Sequence, residues 1–145
     1  MKKILIATLI AASLSGCASV PMGDPKQDEA LKTFPAPTDH QAGVYIYRNE
    51  SFGRAVKMDV AIDGKDIGQT AADTFLYKQV APGKHTVTSK AENTDSIEID
   101  AKPGMLYYIW QEVKIGLWSA RTKLHLVNET KGKEGVQDCD LAVTQ

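Results

Sequence analysis

After Gly43, apolar and polar residues alternate with a period of two along most of the chain. Val44 and Ile46 alternate with Tyr45 and Tyr47. Val56, Met58, Val60 and Ile62 alternate with Lys57, Asp59, Ala61 and Asp63. This spacing puts apolar side chains on one face of a strand. Asp63-Gly64 then marks a hairpin, because glycine accepts the positive φ that primed turns demand. Residues 65–70 form the returning strand. Further strands are expected over 75–80, 85–89, 96–101, 105–115 and 117–127, with turns at Pro82-Gly83, Pro103-Gly104 and Gly116. In the last of these, Trp118, Ala120, Leu124 and Leu126 share a face opposite Arg121, Lys123 and His125. The polar stretch 128–137 has room for a short helix, and Leu141 and Val143 are placed on a closing edge strand. Seven or eight short strands at regular spacing predict an all-β fold, an antiparallel β-sandwich. The expected inner face is Val44, Ile46, Val60, Ile62, Val87, Ile97, Ile99, Tyr107, Ile109, Val113 and Leu124.

The N-terminus follows a different pattern. Met1-Lys2-Lys3 is basic, residues 4–14 are almost wholly apolar, and Leu14-Ser15-Gly16-Cys17 follows. A basic start, a short apolar run and small residues at a cut are the layout of a secretory signal peptide. A run this short falls well below the roughly 20 residues of a membrane-spanning helix. Residues 14–17 resemble the lipobox of bacterial lipoproteins. That resemblance implies cleavage before Cys17 and acylation of its thiol, because a thiolate attacks where a hydroxyl would not. Acyl chains on Cys17 then supply the membrane anchor, since stable attachment takes about two lipid signals. Ala18 and Ser19 lack the aspartate of an inner-membrane retention signal, so the resemblance favours the periplasmic leaflet of the outer membrane.

Residues 18–41 carry Pro21, Pro25, Pro35 and Pro37 with Gly23 and several aspartates. Prolines fix φ and remove donors, so this stretch is expected to be an extended, poorly packed tether, with a turn or two of helix over 28–34. The ordered-arm alternative stays open for Leu31 and Phe34. The expected organisation is 1–16 signal peptide, 17–42 lipidated cysteine and flexible tether, and 43–145 β-sandwich.

Charge narrows the field of partners. The whole chain has 17 basic and 18 acidic residues. Loss of 1–16 removes Lys2 and Lys3, leaving 15 against 18, a formal charge of −3. A nucleic-acid binder would show a basic stripe instead. Cys17 and Cys139 are the two cysteines. With Cys17 acylated they cannot bridge, and Cys139 reads either as a small buried hydrophobe or as an odd thiol available for intermolecular pairing.

A search for chemistry finds little. His40, His85 and His125 lie apart, without zinc-ligand spacing. His85 reads as a turn residue whose ring bonds nearby backbone. Asp59, Asp63 and Asp66 do not fit a calcium loop. No Gly-x-Ser-x-Gly elbow is present. No catalytic residue, metal ligand or cofactor is expected. Two candidate contact surfaces remain. One is the loop holding Arg48, Phe52 and Arg54, the other the aromatic set Tyr108, Trp110 and Trp118; arginine and aromatic residues are favoured at interface centres. For each, the alternative is structural: Phe52 capping the core, and both faces of the aromatic strand covered.

The motifs in residues 60–68 (VAIDGKDIG), 81–87 (APGKHTV), 45–48 (YIYR), 51–53 (SFG) and 103–108 (PGMLYY) resemble, in order and spacing, the lipoprotein family called domain of unknown function 2846. The resemblance covers Gly43 to about Val127. The proline-glycine-histidine turn is also similar to PEGA-like surface modules, which implies a transthyretin-like or immunoglobulin-like sandwich. The family implies an exported lipoprotein and supplies no activity. Together these readings predict a non-enzymatic envelope lipoprotein whose β domain contacts an envelope protein or peptidoglycan. The alternative is a small-ligand carrier or enzyme with a site assembled from the 48–54 loop, Arg121 and His125.

Overall fold

The computed structural model describes residues 17–145. The signal-peptide reading of 1–16 lies outside the described residues. Among the described residues, period-two patterning becomes nine strands: β1 (Ala42–Arg48), β2 (Met58–Ile62), β3 (Lys65–Thr70), β4 (Thr74–Val80), β5 (Gly83–Lys90), β6 (Thr94–Ala101), β7 (Leu106–Ile115), β8 (Ala120–Val127) and β9 (Asp140–Leu141). Among the described residues there are two helices, α1 (Pro25–Leu31) and α2 (Glu129–Gln137). The strands form a five-stranded sheet, β8-β7-β1-β4-β9, facing a four-stranded sheet, β3-β2-β5-β6. The chain is therefore an all-β sandwich. It departs from a purely antiparallel one at two junctions, because β1 pairs parallel with β7 and β4 parallel with β9. β1 lies between β4 and β7, which each return from other parts of the chain.

The core between the sheets is the alternating set. Val44, Ile46, Val60, Ile62, Val87, Ile99, Ile109 and Leu124 are buried together, with Ile97 and Tyr107 packed on them. Each such side chain contributes roughly 1.5–3 kcal/mol. Val113 instead joins Met58 and Ala120 in a small cluster. A buried polar chain also crosses between the sheets. Thr70 Oγ1 donates to Gln111 Oε1 at 2.5 Å, Gln111 Nε2 donates to Ser89 Oγ at 2.6 Å, and Ser89 Oγ meets Thr122 Oγ1 at 2.7 Å.

A second core covers the outer face of the five-stranded sheet. Tyr45, Tyr47, Phe75 and Tyr108 pack there against Leu31 of α1, Val136 of α2, Cys139 and Leu141. Helix α2 can approach because of two glycines. A Cβ at Gly132 would strike the ring of Tyr108, and one at Gly135 the ring of Tyr47. Alanine recovers about 1 kcal/mol of helix propensity, but overpacking against fixed aromatics costs about 1–3 kcal/mol. Gly135→Ala is therefore expected to lower the urea midpoint, whereas a propensity effect alone would raise it.

The proline-rich segment is not the poorly packed tether expected from its composition. It runs along the domain as an ordered arm. Ala18 N–H donates to Arg54 O at 2.7 Å, Val20 is buried, Gly23 N–H donates to Leu141 O, and Val143 N–H donates to Pro21 O. Asp24 caps α1 by accepting from Lys26 N–H. Tyr45 Oη donates to Leu31 O at 2.9 Å. Spaced prolines disfavour helix and sheet, yet they do not prevent docking on a partly covered sheet. Val20 and Leu31 supply the burial that holds the arm.

The Asp63-Gly64 turn has φ of 52° and 77°, the primed geometry. His85 closes over it: Nδ1 lies 2.6 Å from Asp63 Oδ2, and Nε2 donates to Ala81 O at 2.5 Å. Asp63 Oδ1 accepts from Thr86 N–H. The hydrogen bond to Asp63 raises the His85 pKa above 6.5, with burial opposing. The bonds from His85 and Thr86 hold Asp63 below 3.8. The stabilisation from His85 is complete below 6.5 and is lost as pH rises through its raised folded value. That from Asp63 is present above 3.8 and is lost as pH falls through its lowered value. The stability difference between the wild type and His85→Gln is expected to be larger at a pH between these limits than at pH ~8.5. Urea unfolding at both pH values checks this, and a pH-independent difference would contradict it.

Candidate functional site

The residues singled out by the sequence fall in three environments. Cys17 is exposed, at the start of the docked arm. One residue later, Ala18 is bonded to Arg54, so Cys17 lies beside the 49–57 loop.

Arg48 is not part of a surface. It sits on the inward face of β1 with Ala42, Val44 and Ile46, and is fully buried. Its guanidinium plugs the end of the inter-sheet core. Nη1 donates to Val56 O and Nη2 to Gly53 O, both at 2.6 Å. Burial lowers its pKa, while Glu50 and Asp73 act the other way. The sequence suggested an exposed arginine because β1 ends there. In fact the loop folds back over the side chain, and its carbonyls need a donor. Phe52 is half-exposed at the apex of that loop, so it does not cap the core. Arg54 is half-exposed and pairs with Asp73 at 3.4 Å.

Tyr108 and Trp110 are not an open aromatic face either. Both do lie on the outer face of the sheet, but α1 and α2 cover it. Tyr108 is buried, with its pKa pushed up to about 12 by desolvation. Trp110 stacks on His125 at 4.9 Å, with Lys131 Nζ 4.4 Å from its ring. His125 Nε2 in turn lies 2.7 Å from Glu112. The Arg48 guanidinium and the His125 ring are thus committed to separate partners, and no common site joins them. Cys139 is buried, and desolvation pushes its thiol up to about 12, which keeps it protonated and unreactive at neutral pH.

The structure adds a feature that alternation concealed. β8 begins at Ala120, so Trp118 lies in the β7–β8 hairpin tip and not on the strand's inner face. Ile115, Leu117 and Trp118 are 81%, 87% and 93% exposed. Leu126, expected on the inner face, is half-exposed. The tip is held from the other sheet by Glu92, whose carboxylate accepts from Leu117 N–H and Trp118 N–H at 2.9–3.1 Å. A Cβ at Gly116 would collide with that carboxylate. Asn93 and Asp95 repeat the device by bonding the backbone of Thr122 and Leu124. The sequence signal for the tip was Gly116; nothing local in it identified Glu92. At the other end of β7, Phe34, Met105, Tyr107, Tyr108, Leu126 and Lys133 line a groove of about 400 Å³.

The family model described as Protein of unknown function (DUF2846) matches residues 38–123. The chain belongs to this family. An uncharacterized protein of Haemophilus influenzae is 35% identical over 136 residues, covering 93% of this chain and 81% of that protein. No solved structure matches the chain. The family match takes in Arg48, Phe52, Arg54, Tyr108 and Trp110, together with the hairpin tip. Cys17, both helices and Cys139 lie outside it.

Proposed function

We propose that the protein is a bacterial envelope lipoprotein, anchored through acyl chains on Cys17 in the periplasmic leaflet of the outer membrane. Its β-sandwich makes non-enzymatic contacts with an envelope protein or the cell wall. The observation that carries this reading is the lipobox-like run ending at an exposed Cys17, immediately before the first residue bonded to the folded domain. The exposed Cys17 thiol is accessible to an acyl donor, whereas the buried Cys139 is not.

The surface for a partner is the groove at the start of β7. It lies seven residues along the strand from Val113, which is roughly 23 Å at 3.3 Å per residue. Met105 and Leu126 are half-exposed there, beside Lys133 and Glu129. An apolar floor with a charged rim suits a protein or peptide contact.

Metabolic labelling with a palmitate analogue tests the anchor. Wild-type protein is expected to take label and to sediment with outer membranes; Cys17→Ser is expected to take none. Unlabelled wild-type protein would reject the reading. For the contact, a photo-crosslinker at position 105 is expected to give a discrete envelope adduct in cells. Absence of any reproducible adduct would count against the groove.

A further inference from the structure

We propose that the Cys17 end of the sandwich seats on the lipid bilayer, with Phe52, Ile115, Leu117 and Trp118 inserted among the headgroups. This rests on the reading of Cys17 as the lipidated residue and adds to it an orientation and an insertion surface.

The geometry starts from the arm. Ala18 N–H is bonded to Arg54 O, and one residue spans at most about 3.6 Å. While that bond holds, acyl chains on Cys17 emerge within a few ångströms of the 49–57 loop. The anchor then has no slack with which to hold the domain away from the membrane. The loop lies against the root of the hairpin tip, because Gly53 packs on Val113 and Ala120, and Glu50 accepts from Val113 N–H at 2.8 Å. Cys17, Phe52 and the 115–118 tip thus share one end of the sandwich.

That end has the composition of an interfacial surface. Ile115, Leu117 and Trp118 are the most exposed large apolar side chains of the described residues, and Phe52 is half-exposed beside them. Tryptophan favours the headgroup level of a bilayer. The apolar side chains are also presented rigidly. Arg48 pins the loop from below through two carbonyls, and Glu92 pins the tip through two backbone N–H groups.

Charge points the same way. Lys57, Lys90 and Arg121 are exposed at this end without a carboxylate at ion-pair distance among the described residues. The nearby acids have partners of their own: Glu50 and Glu92 accept from backbone N–H groups, Asp59, opposite Lys90 in the register, accepts from Gln69, Asp73 pairs with Arg54, and Glu112 with Lys114. Free cations around an apolar tip fit lipid phosphates.

The test uses the mature acylated protein in vesicles containing more phosphatidylethanolamine than phosphatidylglycerol. Tryptophan fluorescence is compared between plain lipid and lipid brominated on its acyl chains, for wild type and Trp118→Phe. Trp118 is solvent-exposed, so the substitution leaves the fold intact, and Trp110 remains in both proteins. Bromine is expected to quench a component present in the wild type and absent from Trp118→Phe. Acylated, vesicle-bound protein with equal quenching in the two would overturn the inference and leave the anchor standing. A blue-shifted Trp118 that bromine does not quench would also overturn it, because a second copy or another protein then covers the tip. Protein found without acyl groups would remove the anchor and the inference with it.

Discussion

Replacing Arg48 with alanine is expected to cost about 3–5 kcal/mol of unfolding free energy, the largest single-residue effect in the domain. The side chain is fully buried, yet among the described residues it forms no ion pair within contact distance. Its work is to satisfy the carbonyls of Val56 and Gly53 inside the end of the sandwich. Alanine would leave both without a donor, at about 1–3 kcal/mol each, and add a cavity. Methionine fills the space and removes the cost of burying a charge, so Arg48→Met is expected to lose about half as much. Lysine keeps the charge but loses the fork that reaches two carbonyls at once. Urea denaturation ranks the three variants. If methionine proves as damaging as alanine, the hydrogen bonds rather than packing dominate; if all three are neutral, the loop is not held by Arg48.

The second large effect is at Gln111. Its side chain joins Thr70 of one sheet to Ser89 of the same sheet from across the core. Gln111→Leu roughly preserves volume but strands the Thr70 hydroxyl, while Ser89 keeps Thr122. The expected loss is about 2–3 kcal/mol. Removing both partners of a buried bond is far cheaper than removing one. Thr70→Val added to Gln111→Leu is therefore expected to recover most of that loss, and a double-mutant cycle reads the coupling. Simple additivity would show that the two side chains act independently.

These two residues show where sequence reading succeeded and where it stopped. Strand positions follow from side-chain period, which is local, so Lys65–Thr70 was legible to the residue. The inner face was legible for the same reason, from Val44 to Leu124. Arg48 and Gln111 occupy inward positions as well, but a polar residue at such a position is informative only once its partner is known. The partners are loop carbonyls and a hydroxyl 41 residues away. The docking of residues 18–41 was illegible because composition reports backbone stiffness and says nothing of an available sheet face. Trp118 was misplaced because alternation was carried through Gly116 as if the strand restarted at once. Glu92 could not be found locally, since it serves backbone groups 25 residues away.

Cys17, the first of the described residues, gains a more specific meaning from this structure. Cys17 is joined to the sandwich by one residue, not held off by a long tether. Acylation there would fix which end of the domain meets the bilayer and which end, with its groove, faces the periplasm. The most direct measurement is the mass of the N-terminal peptide of the mature protein, isolated from cell envelopes. The account predicts a chain that starts at Cys17, lacks residues 1–16 and carries a diacylglyceryl group on the sulfur. A peptide that starts elsewhere, or that starts at Cys17 with a free thiol, would contradict it.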